Sequence, residues 1–344
     1  MNRLYPLQNL LRNSRSLLTL FLLGTLSSAT ILEAAQRIRL GTLAPKGSSY
    51  YNELNKMGRE WTKATKGKVS LTIYPDGRMG GEAEMVRRMR VGQLQAGFFS
   101  AVGLTEIEPA VSGLQNLPMM FNSIEEVDHI GTKLQPLLEQ QLEKKGFKVL
   151  FWVNAGWVHF FTKKPVSTPD DLRKLKIFTW AGEPEVVNVY KGAGFTPVPL
   201  ETKEILPGLQ TGLISAVPMP PLLANATQID TKAPFMLDLN WAPLIGAAVV
   251  TTKTWNRLQP AIKDTALKIA QSSGASIQTI GREEATNSVI AMKKRGLKVQ
   301  TISDEAKAEW RTAAEKVYPK IRGPIVPANI FDQVQGWITE FRNK

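Results

Sequence analysis

The stretch that most constrains the fold runs from residue 171 to residue 184. Leu175, Ile177 and Thr179 alternate as a short strand. Gly182 and Pro184 then turn the chain into a helix over about residues 185–190, with Pro184 near the first helical position, where proline costs no hydrogen bond. A second unit of the same kind follows at once, strand-like over 195–199 and helical over 201–210. Strand, tight turn and helix start in repetition predict a sheet wound with helices. Ligands of such sheets sit beyond the carboxyl ends of the strands. This stretch therefore reads as one wall of a cleft.

The other wall is expected from residues 37–101. Residues 37–43 read as a strand, and Ser48 or Ser49 can cap a helix to about Ala64 with Leu54, Met57 and Trp61 at helical spacing. Residues 69–74 form a second strand, Pro75-Asp76-Gly77 turns, 82–91 is a basic amphipathic helix and 96–101 a third strand. This β-α-β-α-β order predicts parallel pairing. Residues 102–121 read as a loop-rich linker, and two short helices are expected over 124–131 and 134–145. Strands at 148–153 and 157–162 follow, with a crossing between the two units near Asn154-Ala155-Gly156. Residues 247–252 read as a strand returning to the first sheet. A helical pattern covers 260–294 and is either one helix about 50 Å long or two helices broken at Gly274 or Gly281.

Length allows two domains: 344 residues, 43% hydrophobic. Arg3, Arg12 and Arg15 precede an apolar run over residues 17–26, and Ser27-Ser28-Ala29 supplies small residues for cleavage. That is the pattern of a secretory signal peptide, and the run is too short to span a bilayer; the alternative is an uncleaved N-terminal anchor. The chain has no cysteine, so no disulfide framework or lipid-attachment cysteine. Net charge is +13, of which the segment before Glu33 carries three. The lysines and arginines are scattered and form no nucleic-acid motif, so they read as a solvated basic surface able to attract anions.

No catalytic constellation is visible. The two histidines, His129 and His159, are not at ligand spacing, and there is no nucleophile elbow, phosphate loop or dinucleotide fingerprint. The chain is expected not to be an enzyme, and to use no cofactor and no metal. Aromatic residues carry more information. Trp152, Trp157, Phe160, Phe161, Phe178, Trp180 and Trp241 lie near strand ends or crossings. Core packing explains Trp152 and Phe160. Trp157, Phe178, Trp180 and Met219 fall at turns expected to face the cleft, with core packing as the alternative.

The sequence resembles the solute-binding proteins of tripartite ATP-independent periplasmic (TRAP) transporters, the DctP family, over about residues 37–318. The residues that carry the likeness are Gly41-Thr42-Leu43-Ala44-Pro45, Leu71-Thr72-Ile73-Tyr74-Pro75 with Gly77, and Gly92-Gln93-Leu94-Gln95-Ala96-Gly97-Phe98. They continue through Leu117-Pro118-Met119-Met120-Phe121, residues 165–178, Pro197-Val198-Pro199 and Gly208-Leu209-Gln210-Thr211-Gly212-Leu213-Ile214. Their order and spacing, rather than any one motif, make the match. The resemblance implies two doubly wound α/β lobes around a ligand cleft, like a periplasmic binding protein, with a long bracing helix. It also implies a periplasmic receptor that closes on a small solute, usually an organic acid, and hands it to a membrane permease. The expected division is a leader over residues 1–35, a first lobe of 36–153 and 243–256, and a second lobe of 154–242 and 257–344.

The sequence departs from the family at the site. An arginine that commonly pairs with the ligand carboxylate would stand at Phe178, and others near Val158 and an asparagine near Met219 or Pro220 are also missing. Lys176 lies two residues back on the strand and does not replace the guanidinium. An aromatic face for a bidentate cation is not a conservative exchange. The expected binding set is therefore Ser100, Asn154, Trp157, Phe178, Thr179, Trp180, Met219 and Trp241, suited to a larger, more apolar or aromatic solute. A carboxylate could still be held at the helix start over 182–185. The alternative to a transport receptor is a ligand-sensing or carrier protein of the same fold serving an envelope enzyme or machine.

Overall fold

The structure, a computed structural model, describes residues 35–343. The leader expected before Gln36 therefore lies almost wholly outside the described residues. The chain begins with β1 (Gln36–Thr42), α1 (Ser49–Ala64), β2 (Val69–Tyr74), α2 (Glu82–Arg90) and β3 (Ala96–Ser100). Ser48 caps α1, accepting from the Tyr51 N–H. Both β2 and β3 pair with β1 in parallel, as the alternation required.

The region expected as a linker is partly helical. Helix α3 (Ala101–Thr105) and a 3-10 helix (Pro109–Leu114) are almost wholly buried. Short apolar segments that pack on a core read as loop when they are too brief to show a period. The two helices expected next are one, α4 (Ile124–Lys144), which runs through Pro136. Its buried stripe of Val127, Ile130, Leu134, Leu138 and Leu142 gives a continuous reason to stay helical, and this outweighs the hydrogen bond that Pro136 forfeits.

The strands expected at 148–153 and 157–162 are likewise one, β4 (Phe147–Thr162). After it come α5 (Pro169–Arg173), β5 (Lys176–Trp180), α6 (Pro184–Gly192), β6 (Thr196–Leu200), α7 (Ile205–Thr211), β7 (Ala216–Met219) and α8 (Pro221–Ala226). Strand β8 (Phe235–Thr251) returns antiparallel to β4 along nearly its whole length. These two strands carry the chain from one end of the molecule to the other. Their register shifts between Asn154 and Trp157, where Gly156 takes φ 89°, and that is where the crossing was expected.

The described residues build one nine-stranded sheet in the order β2-β1-β3-β8-β4-β7-β5-β6. The last strand, β9 (Lys298–Gln300), adds to β8. Each end of the sheet has buried apolar clusters of its own. At the first end, Leu94, Phe99, Leu134 and Val249 lie in one, and Leu40, Leu54, Trp61 and Val250 in the other. At the second end, Phe161, Phe178 and Leu209 lie in one, and Phe160, Ile177 and Trp310 in the other.

Helix α9 (Thr252–Trp255) leads into α10, which is unbroken from Pro260 to Lys294. Its Ala266, Ala270 and Ile277 belong to a cluster of the first end, and its Met292 to one of the second. It braces both. Gly274 and Gly281 do not break it, because they are needed for close approach. A Cβ on Gly274 would meet the Phe151 Cβ at 2.5 Å, and one on Gly281 would meet the Tyr50 hydroxyl at 2.7 Å. Helices α11 (Asp304–Glu315), α12 (Tyr318–Ile321) and α13 (Ala328–Arg342) finish the chain.

Candidate ligand-binding cleft

A cavity of about 1860 Å³, counted out to its open mouth, lies between the two ends of the sheet. The first end supplies Thr42, Tyr50, Phe98 and Ser100 from β1, α1 and β3 and the segments that follow them. The second supplies Phe178, Thr179 and Trp180 from β5, Val186, Val189 and Tyr190 from α6, and Met219 from β7. Val153, Ala155 and Val158 of β4, with Trp241 and Leu244 of β8, form the floor where the chain crosses. The position follows from strand polarity, since β1, β3, β5 and β7 all point their carboxyl ends at this space.

Six of the eight residues singled out in the sequence line it: Ser100, Phe178, Thr179, Trp180, Met219 and Trp241. Phe178 is buried and meets Trp180 edge-on, with ring centroids 5.0 Å apart. It thus stands in both the core and the lining. Thr179 is 5% exposed and its hydroxyl oxygen has no hydrogen-bond partner.

Asn154 and Trp157 are absent from the lining. The Asn154 Oδ1 turns back to accept from the Gly156 N–H at 3.0 Å, and Trp157 packs on the core cluster of the first end. Asn154 lies between two lining residues, Val153 and Ala155, so alternation itself puts it on the opposite face; the register shift after it gives the place that alternation assigns to Trp157 to Val158.

Sequence reasoning missed Trp310, Tyr190, Tyr50 and two carboxyls. Trp310 is fully buried and donates from Nε1 to the Ser167 carbonyl at 2.9 Å. It stacks on Phe160 and meets Trp241 edge-on, so the C-terminal helices complete the wall. Tyr50 is buried in the lining, its hydroxyl without a hydrogen-bond partner. Helical spacing shows a buried face but not which cavity that face meets.

The two carboxyls are Glu82 and Glu183. Glu82 accepts from the Ser100 N–H (2.8 Å), the Ser100 hydroxyl (2.6 Å) and the Gly103 N–H (2.8 Å), which ties α2 to the start of α3. Burial nevertheless pushes it up to about 7, against the lowering effect of those bonds and with added repulsion from Glu201. Glu183 is half-buried at the start of α6. It accepts one long bond from Asn116 Nδ2 (3.4 Å), and burial, with Glu82 and Glu106 nearby, also raises it to about 7. No lysine, arginine or histidine among the described residues lines the cavity.

Comparison with known proteins locates this architecture. The 2,3-diketo-L-gulonate-binding periplasmic protein YiaO of Escherichia coli is 26% identical over 289 residues, 83% of this chain and 87% of that protein. The C4-dicarboxylate-binding periplasmic protein DctP of Rhodobacter capsulatus is 24% identical, with 85% of each chain covered. Among solved structures, a TRAP periplasmic solute-binding protein from Ralstonia eutropha with bound (S)-2-acetolactate superposes with a TM-score of 0.82 at 17% identity. The match covers 88% of this chain and 99% of that one. One from Sulfurospirillum deleyianum with bound succinate gives 0.80 at 19% identity, with 88% and 99% covered. The family model described as bacterial extracellular solute-binding protein, family 7 (DctP) matches residues 40–323. The chain belongs to that family of TRAP solute-binding proteins.

Proposed function

We propose that this chain is a periplasmic receptor whose solute is larger and more apolar or aromatic than the acids bound by its relatives. The observation that supports this is the lining. Phe178 occupies the place where the family resemblance puts an arginine, and Trp180, Trp241, Trp310 and Met219 line the same cavity, with no cation among the lining residues. A carboxylate in such a site would lose its hydration with no guanidinium to replace it.

In this reading residues 36–153 and 243–256 form one lobe, and 154–242 and 257–344 the other. Ser100 contributes from the first, and Phe178, Thr179, Trp180, Met219 and Trp241 from the second. The solute bridges the lobes and stabilises the closed state, which membrane permease subunits recognise. The segment before Gln36 directs export and is then lost. The chain binds and releases its solute unchanged, with no catalytic step.

Small-angle scattering with and without candidate solutes tests the mechanism. A bound solute should reduce the radius of gyration, and at 100 times its dissociation constant it should add about 2.7 kcal/mol of stability. A thermal shift without compaction would contradict closure. The aromatic lining equally favours a carrier that delivers to an envelope enzyme. Capture of permease subunits by the closed, solute-loaded chain separates the two.

A further inference from the structure

Deepening that reading, and resting on it, we propose that the solute carries a cationic nitrogen on its apolar or aromatic body, and that Glu183 is its anchor. The family's charge logic is inverted here. The ionisable side chains that line the cavity, Tyr50 and Tyr190 aside, are Glu82 and Glu183, both acids. They do not play the same part. Glu82 is committed to the Ser100 and Gly103 groups that it holds. Glu183 keeps acceptor capacity, since Asn116 offers it one bond at 3.4 Å and it makes no capping bond to its own helix.

Further acids stand close. Glu106 repels Glu183 and Glu201 repels Glu82, adding negative potential on this side of the cleft. The start of α6, the place where a helix receives a ligand carboxylate, instead carries Glu183 and then Glu185 in its first turn. A carboxylate would meet like charge from the ionised form of Glu183, whereas an ammonium favours that ionised form and makes it a half-buried counter-charge. Phe178 and Trp180 offer the π faces that attract cations. Thr179 and Tyr50, each 5% exposed and with an unpartnered hydroxyl, can accept from or donate to the same ligand. Among the described residues no three acidic, histidine or cysteine side chains converge as a metal site.

The test is calorimetry and scattering on the full mature chain with sets of like-shaped probes that differ in charge. The amines are phenethylamine and tryptamine, the alcohols phenethyl alcohol and tryptophol, and the acids phenylacetate and indoleacetate. The amines should bind tightest, and Glu183→Gln should weaken them by roughly 30-fold or more while the alcohols, which lose at most a neutral hydrogen bond, weaken by only about threefold. Amine binding that survives Glu183→Gln overturns the proposal, as does an acid that binds as well as its amine counterpart, or no amine binding at millimolar concentration. The receptor reading is scored separately. An acid or alcohol that compacts the protein while its amine counterpart neither binds nor compacts it overturns the cationic solute and leaves the receptor standing. Binding by any probe without compaction counts against closure itself.

Discussion

Gly274 should not tolerate alanine, although it sits in the middle of a helix where alanine ordinarily gains about 1 kcal/mol over glycine. A Cβ at this position would lie 2.5 Å from the Phe151 Cβ and 2.6 Å from its Cγ. The nearest atom is bonded to the backbone of β4, so no side-chain rotation relieves the overlap. Helix and strand would have to separate by about 1 Å, and overpacking of this kind costs typically 1–3 kcal/mol. Gly336 is the control. It lies exposed within α13, and a Cβ there meets nothing within 4 Å. Gly336→Ala should therefore stabilise by about 0.5–1 kcal/mol, and Gly274→Ala should destabilise by about 1–2 kcal/mol. Urea titrations followed by tryptophan fluorescence and circular dichroism give both values, with unchanged slopes showing that only stability moved. If Gly274→Ala matched Gly336→Ala in sign, α10 would not lie on β4 as described, and its role as a brace would fail.

Three further outcomes are expected. Arg295 donates from Nε and Nη2 to both oxygens of the buried Asp230, at 2.9 Å each, and Arg295→Ala should cost roughly 3 kcal/mol by leaving that carboxylate uncompensated. Measured stability that stayed within about 0.5 kcal/mol of the parent would refute this. Glu183 holds its proton to about pH 7 in the folded chain and releases it near 4.5 when unfolded, so the folded state binds more protons in that window and stability falls as pH rises through it. Glu183→Gln should flatten the decline relative to the parent, a comparison in which the opposing effect of buried His159 cancels. Gly281→Ala should displace the Tyr50 hydroxyl, 2.7 Å from the new Cβ, and weaken solute binding measured by calorimetry more than Gly336→Ala does.

Local signals carried much of the fold. Ser48, Pro75-Asp76-Gly77 and Pro184 act within one turn of themselves, and the elements they bound fall within about two residues of their expected ends. Periodicity gave α10 its span but left its continuity open, because a glycine that breaks a helix and one that admits Phe151 look alike until the partner strand is placed. Pro136 misled for the same reason, since the stripe that holds α4 together matters only against its core. At the site, residues on regular strands such as Phe178 and Thr179 were legible. Trp157 was not, because the bulge before it gives its place to Val158, and Asn154 falls between the lining residues Val153 and Ala155, on the opposite face of the strand. Glu82 and Glu183 were illegible in principle. Glu82 reads as one charge on a basic helix, and its partners Ser100 and Gly103 lie 18 and 21 residues away.

The central claim is that the cleft selects an apolar or aromatic solute without a carboxylate clamp. Native mass spectrometry of the mature chain, followed by denaturing extraction of whatever remains bound, tests it most directly. The account predicts a retained solute with an apolar or aromatic body and a basic nitrogen, displaced in the Glu183→Gln protein. Stoichiometric succinate or a hexuronate in the cleft would contradict it, and would mean that groups other than a lining cation hold a carboxylate there.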